Sequence, residues 1–212
     1  MNAPSNPPAS MAASPLTPGS TPPELSPRLA PPGAGVPFIE RWVGGMMLKR
    51  RRRRGTVASL AADFARERTR IMELTSALDD RSASRRVLIR RLPGLEDSSR
   101  YWSVWMTLDH LRIVNLEIAR VIDALSRGVR PEGEASTAAV KPSESVDGRV
   151  VEAFEQSCDH LAQSVSRSTN LLTRERFAHP WFGPLDALGW HAMSGMHMGI
   201  HRGQIERIMR GL

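Results

Sequence analysis

The sequence predicts an all-α protein, a four-helix bundle with a long crossover between its second and third helices. Three observations lead there. Apolar residues recur at intervals of three and four in four stretches between Thr56 and the C-terminus, the spacing that places them on one face of an α-helix. The segment "VRPEGEASTAAVKPSESVDG" after Gly128 is polar and aperiodic, and about twenty residues exceed what a tight helical hairpin needs. Finally, 212 residues with 41% hydrophobic content suffice for one sizeable core, while the composition shifts near residue 35.

Residues 1–35 carry ten of the sixteen prolines together with Ser, Ala and Gly. Burial there cannot offset the entropy of ordering, so a disordered or locally polyproline-like arm is expected. Residues 36–55 read as an apolar-plus-basic linker, "VPFIERWVGGMML" running into "KRRRRR", and residues 56–212 as the bundle. Its first helix carries Val57, Leu60, Phe64, Ile71, Leu74 and Leu78. Residues 79–97, Arg-rich and punctuated by Pro93-Gly94, form an irregular connection, with Asp97, Ser98 or Ser99 capping the next helix.

The second helix runs from about Arg100 to Leu125. At about 100° per residue, Met106, His110, Val114, Val121 and Leu125 share one face, so His110 sits on the apolar side, with Glu117 two turns on. The third helix shows Val151, Phe154, Cys158, Leu161, Val165 and Leu172 in steps of three and four, one of them through Ser168. Cys158 falls in that stripe and reads as a small buried hydrophobe; His160 lies off it and is solvated. The fourth helix starts at Asp186, an N-cap after Gly183-Pro184.

The net charge of +7 suggests nucleic acid until it is apportioned. Residues 1–48 sum to zero, Lys49, Arg50, Arg51, Arg52, Arg53 and Arg54 contribute +6, and +1 remains over residues 55–212. Such a block is ordinarily solvated; contact with nucleic acid or an anionic membrane through it is the alternative, the preceding apolar residues offering a foothold in lipid. One cysteine excludes an intrachain disulfide, and neither a signal peptide nor a membrane span is indicated, so a soluble, cytoplasmic protein is expected.

The stretch "WHAMSGMHMGIHRGQIERIM" puts Trp190, Met193, His197, His201, Gln204 and Ile208 on one side of the last helix. Two imidazoles one turn apart can converge on a single cation, and His110 supplies a third from another helix. A lone inward histidine is usually a satisfied core residue, but three neutral rings each bring a donor and an acceptor, and a metal satisfies one nitrogen of each. His191 is rotated by about 120° and points elsewhere. Gly195, Gly199 and Gly203 permit close approach of another element, inside the bundle or across a homodimer.

These residues carry a resemblance. "HPWFGPLDALGWHAMSGMHMGIHRGQI" (179–205) resembles the signature of the DinB superfamily, in particular a branch with a His-Pro-x-Phe-Gly-Pro-Leu turn before the last helix and His-x3-His followed by Gln. "SSRYWSVWMTLDHLRIVN" (98–115) resembles its second helix. The resemblance covers roughly residues 56–212. It implies a DinB/YfiT-like four-helix bundle in which His110, His197 and His201 hold a divalent metal. Members include transferases and isomerases that use the thiols bacillithiol or mycothiol, and relatives such as YfiT are described as candidate metal-dependent hydrolases. The sequence departs from that branch at Ile200, where a further histidine often stands.

Three imidazoles leave open positions on Zn²⁺, Ni²⁺ or Fe²⁺ for water, a thiolate or a substrate oxygen, and zinc would lower the pKa of bound water to about 7. Catalytic residues beyond the ligands are not defined by the sequence; Gln204, Glu117 and His179 are weak candidates, for orienting a ligand, accepting an imidazole N–H and approaching the metal respectively. Trp102, Trp105, Trp181 and Phe182 are candidate pocket walls. The expected function is that of a metal-dependent thiol S-transferase, using a low-molecular-weight thiol cosubstrate, or hydrolase acting on a small molecule. The alternative is a non-catalytic interaction module, tethered to membrane or nucleic acid by residues 49–54.

Overall fold

A computed structural model of the chain describes residues 27–212, so the disorder expected for the arm lies outside the described residues as far as residue 26. The rest of that arm is tied down: the Ala30 N–H donates to Asp97 Oδ2 at 2.8 Å and the Gly33 N–H to Glu96 Oε2 at 3.3 Å.

The segment read as a linker, 36–55, instead forms helix α1 (Phe38–Arg54) for most of its length. Two glycines and a run of six cations argue against a helix in isolation, and tertiary contacts override that preference. Glu40 pairs with Arg91 and accepts the Gly94 N–H at 2.9 Å; Leu48 is buried; Arg51 pairs with Asp63, and Arg52 with the buried carboxylate of Asp186. The basic block is therefore only partly a solvated one.

Helix α2 (Val57–Thr75) opens on a capping box in which Thr56 and Ser59 exchange side-chain-to-backbone hydrogen bonds of 3.1 and 2.9 Å. Leu60, Phe64 and Ile71 are buried as the stripe predicts, but Val57 is 43% exposed and the helix stops three residues short of Leu78. The connection beyond it holds a short helix, α3 (Asp80–Ser84), and strand β1 (Val87–Leu88). Its partner β2 (Tyr101–Trp102) keeps those residues extended, so helix α4 (Val104–Ser126) begins four residues later than expected. Ser103 caps it, while Asp97–Ser99 make a single 3-10 turn.

Helix α5 (Val150–Arg167) buries Phe154, Cys158, Leu161 and Val165. It ends before Leu172, which is exposed, and Leu171 takes the buried place. Burial pushes the Cys158 thiol up to about 12, the behaviour of an inert core residue. A hairpin of β3 (Phe177–His179) and β4 (Gly183–Leu185) follows, turning at Gly183 with φ +72°. Helix α6 (Ala187–Met209) starts on Asp186, whose carboxylate accepts the Gly189 N–H at 2.9 Å.

Helices α2, α4, α5 and α6 make the bundle, with α4 packed on α5 and α6, and α2 on α6. Asn115 meets Ser157, Asp123 meets Ser164 and Ser126 meets Ser168, so α4 and α5 run parallel. Parallel neighbours require the chain to return along the length of the bundle, which is what residues 127–149 do. The glycine stripe of α6 is used inside the bundle: a Cβ at Gly195 would lie 3.1 Å from Arg51 Nη2 and 3.6 Å from the Phe64 nitrogen, and one at Gly199 3.7 Å from Glu67. Gly195→Leu is accordingly expected to destabilise the fold by about 1–3 kcal/mol through overpacking, read as a lower chemical-denaturation midpoint. Among the described residues no helix is long and apolar enough to cross a membrane.

Candidate metal centre

His110 on α4 and His197 and His201 on α6 come together, with one ring nitrogen of each within 4.8 Å of the others. Their ring centroids are 5.1, 4.5 and 4.4 Å apart. The antiparallel packing of α4 against α6 produces this: a histidine near the start of one helix meets a pair that straddles the middle of the other.

Hydrogen bonds fix two of the three tautomers. His110 Nδ1–H donates to the Val140 carbonyl at 2.6 Å, leaving Nε2 bare. Gln204 Nε2 donates to the Ser99 carbonyl at 2.7 Å, which turns its Oε1 toward His201 Nδ1, also at 2.7 Å. His201 Nδ1 therefore carries the proton and its Nε2 is bare as well. His197 Nε2 lies 3.2 Å from His110 Nε2, while its Nδ1 is buried without a partner. Wherever His197 carries its proton, one buried nitrogen is left unsatisfied. A cation accepting all three lone pairs takes up the crowded Nε2 atoms and leaves the His197 proton on Nδ1, and 3.2 Å is close to the separation of about 3.3 Å set by tetrahedral zinc with bonds of about 2.0–2.1 Å. The residues fit a divalent metal.

Burial holds all three rings neutral at pH 7, as ligation requires. It lowers His110 to about 4, and it lowers His197 and His201 well below the usual histidine value, with neighbouring imidazoles adding to the effect. Trp102 is buried against this group, its ring 5.2 Å from His110 and stacked on His201 at 6.3 Å.

The histidines stand in the wall of a largely apolar cavity of about 390 Å³, lined also by Val114, Val121, Trp190, Met193, Met196 and Ile200. The crossover closes one side. Lys141 is held by Glu96 at 2.9 Å and by the Ser98 and Ser99 hydroxyls, and this anchors the adjacent Val140 carbonyl over His110. Glu96 is buried and also accepts from Thr137 at 2.8 Å; burial raises its pKa, but the bonds from Lys141 and Thr137 outweigh it and leave the pKa lowered.

The three weaker candidates take different places. Gln204 is fully buried and orients His201. Glu117 lies at the cavity rim, exposed and paired with Arg120 at 3.0 Å, away from the imidazole N–H groups. His179 lines the same cavity from β3, stacked on Phe182 at 4.7 Å, its Nδ1 accepting the Trp181 N–H at 3.1 Å; burial lowers it to about 4. Trp181 and Phe182 do wall the cavity, whereas Trp105 turns away to donate to Asp80 at 3.0 Å. His191, as its rotation predicts, points instead toward the start of α2, with Nε2 3.4 Å from the Val57 carbonyl. The Val140 carbonyl and the α1 residues of the cavity wall, Glu40 and Gly44, carry no sequence signal, because only chain folding brings them there.

Gln204→Leu is expected to weaken divalent metal affinity about 10–100-fold while the helical far-UV signal is retained, because His201 loses the acceptor that sets its tautomer. Isothermal titration with Zn²⁺ reads the change.

Fold and site together define a four-helix bundle bearing a three-histidine cluster beside an apolar cavity. The chain belongs to the DinB superfamily, whose family model matches residues 63–205. Among solved structures it is similar to the crystal structure of TT2238, described as a four-helix bundle protein, at 19% identity and a TM-score of 0.53, covering 71% of this chain and 98% of that one. That likeness concerns the fold alone. No curated protein matches the chain.

Proposed function

We propose that the protein is a cytoplasmic metal-dependent enzyme of the DinB type, a thiol S-transferase or hydrolase acting on a small, largely apolar molecule. The observation that supports this most is the convergence of three neutral imidazoles, two of them with bare Nε2 atoms, at the wall of a cavity large enough for such a substrate. Bound there, Zn²⁺, Ni²⁺ or Fe²⁺ supplies an electrophilic centre that activates water or a low-molecular-weight thiol.

The chain's own residues do the rest. His110, His197 and His201 hold the cation from one side. The Val140 carbonyl and Gln204 keep two of those rings in the ligating tautomer. The apolar walls, with Trp190 and Phe182 among them, bind the substrate's hydrocarbon part and exclude bulk water. His179, neutral and on the same cavity, has its Nδ1 occupied by the Trp181 N–H, so its Nε2–H is left to donate a hydrogen bond to a substrate oxygen.

The test is a turnover assay of protein reconstituted in turn with each metal, on apolar electrophiles with a thiol cosubstrate and on apolar amides and esters. Metal-dependent turnover of one class, lost in His201→Ala, is the expected result. Metal binding without turnover of either class would favour a structural centre.

A further inference from the structure

Helix α1 carries two chemically different halves along one outward face. At about 100° per residue, Phe38, Ile39, Trp42, Val43 and Met46 share an arc with Lys49, Arg50, Arg53 and Arg54, opposite the Glu40, Leu48 and Arg51 side that meets the bundle. Phe38 and Ile39 are 72% exposed, Trp42 58% and Met46 48%, and nothing among the described residues covers them. The four cations are exposed as well. They take part in no ion pair among the described residues, unlike Arg51 and Arg52 between them, which bind Asp63 and Asp186 and so clamp the helix to the bundle. The apolar half is thus displayed by a helix that is held in place by its other face.

An apolar patch of this kind marks a contact surface. Its charge selects the partner. A nucleic acid would use the cations and leave five large apolar side chains facing no complementary group. A second copy uses only part of the face: two α1 helices paired antiparallel through their apolar halves leave all the cations without a partner, and a parallel pair stacks the two sets of four cations together. An anionic bilayer satisfies both halves at once, with Trp42 at the depth where tryptophan is preferred.

We propose that α1 docks the protein onto anionic lipid, its N-terminal half entering the boundary between headgroups and acyl chains and its C-terminal half resting on lipid phosphates. The same helix lines the cavity through Glu40 and Gly44, so the docked protein holds that cavity at the lipid surface, where apolar molecules concentrate. The inference is independent of the metal centre.

Co-sedimentation of the full chain with vesicles tests it, comparing equimolar phosphatidylcholine and phosphatidylglycerol with phosphatidylcholine alone. Binding to the anionic vesicles is expected, weakening with salt. Replacing Lys49, Arg50, Arg53 and Arg54 together by Gln, with Arg51 and Arg52 kept, is expected to lower partitioning about fivefold per cation, more than about a hundredfold in all. Trp42→Ser with Met46→Ser is expected to lower it at least about tenfold. Circular dichroism verifies that both variants fold, and the unmodified chain alone decides if they do not. Failure of the full chain to sediment with anionic vesicles overturns the proposal. So does vesicle binding indifferent to Trp42→Ser with Met46→Ser, DNA binding in place of vesicle binding, or a dimer that Trp42→Ser dissociates.

Discussion

The His110→Ala, His197→Ala double variant is expected to purify without divalent metal, while the unaltered protein takes up about one equivalent on reconstitution with Zn²⁺, Ni²⁺ or Fe²⁺. Removing two of the three proposed ligands leaves a single imidazole, and one histidine cannot retain a cation against a chelator. Helical content should persist, because the bundle's core of Leu108, Leu111, Ile118, Phe154, Leu161 and Ile205 does not involve these rings. Indeed the metal-free variant is relieved of the unpartnered nitrogen that His197 buries. Metal analysis by mass spectrometry, beside far-UV circular dichroism, reads both quantities. Equal metal content in the two proteins would show that the histidines are not its ligands.

Arg52→Met is expected to cost about 3 kcal/mol of folding stability. It strands the carboxylate of Asp186, only 2% exposed, at the start of the helix that carries two of the three histidines. Asp186→Asn should cost less, about 1–2 kcal/mol, since Asn still caps α6 and leaves only a part-exposed guanidinium to be resolvated. The double variant should recover part of the loss, a coupling that urea denaturation of all four proteins measures.

The same pair sets a pH signature. Burial raises the Asp186 pKa, but the Arg52 guanidinium and the Gly189 N–H more than reverse this, leaving it below the ordinary 3.8. A carboxylate depressed in the folded state contributes stability that is present above 3.8 and is lost as pH falls through the folded value. In Arg52→Met burial acts with much less opposition, so the gap between the two proteins should narrow as the pH is lowered into that range.

Much of the bundle was legible in local spacing. The stripe of α4 is buried where its periodicity places it, as are Phe154, Cys158, Leu161 and Val165 of α5 though not Leu172, the Asp186 cap stands as read, and the aperiodic length after Gly128 correctly implied a crossover between parallel helices. The DinB signature identified the superfamily, and the three histidines do meet. These features repeat within a few residues or one helical turn, so a single chain segment displays them.

Where the sequence misled, the deciding interactions join distant residues. Helix α1 looked like a linker because glycines and six consecutive cations carry no helical incentive of their own; Asp63, Arg91 and Asp186 supply it from as far as 134 positions away. The start of α4 moved because β1 holds Tyr101 and Trp102 extended. The tautomers of His110 and His201 depend on a carbonyl in the crossover and on an amide oriented by Ser99. The amino-acid sequence by itself determined that there is a four-helix bundle and which imidazoles face inward, since periodicity and helix caps are local properties. Only the tertiary structure decided how those imidazoles are oriented, what cavity they face and which side of α1 is left bare, because each is set by partners that only the folded chain brings within reach.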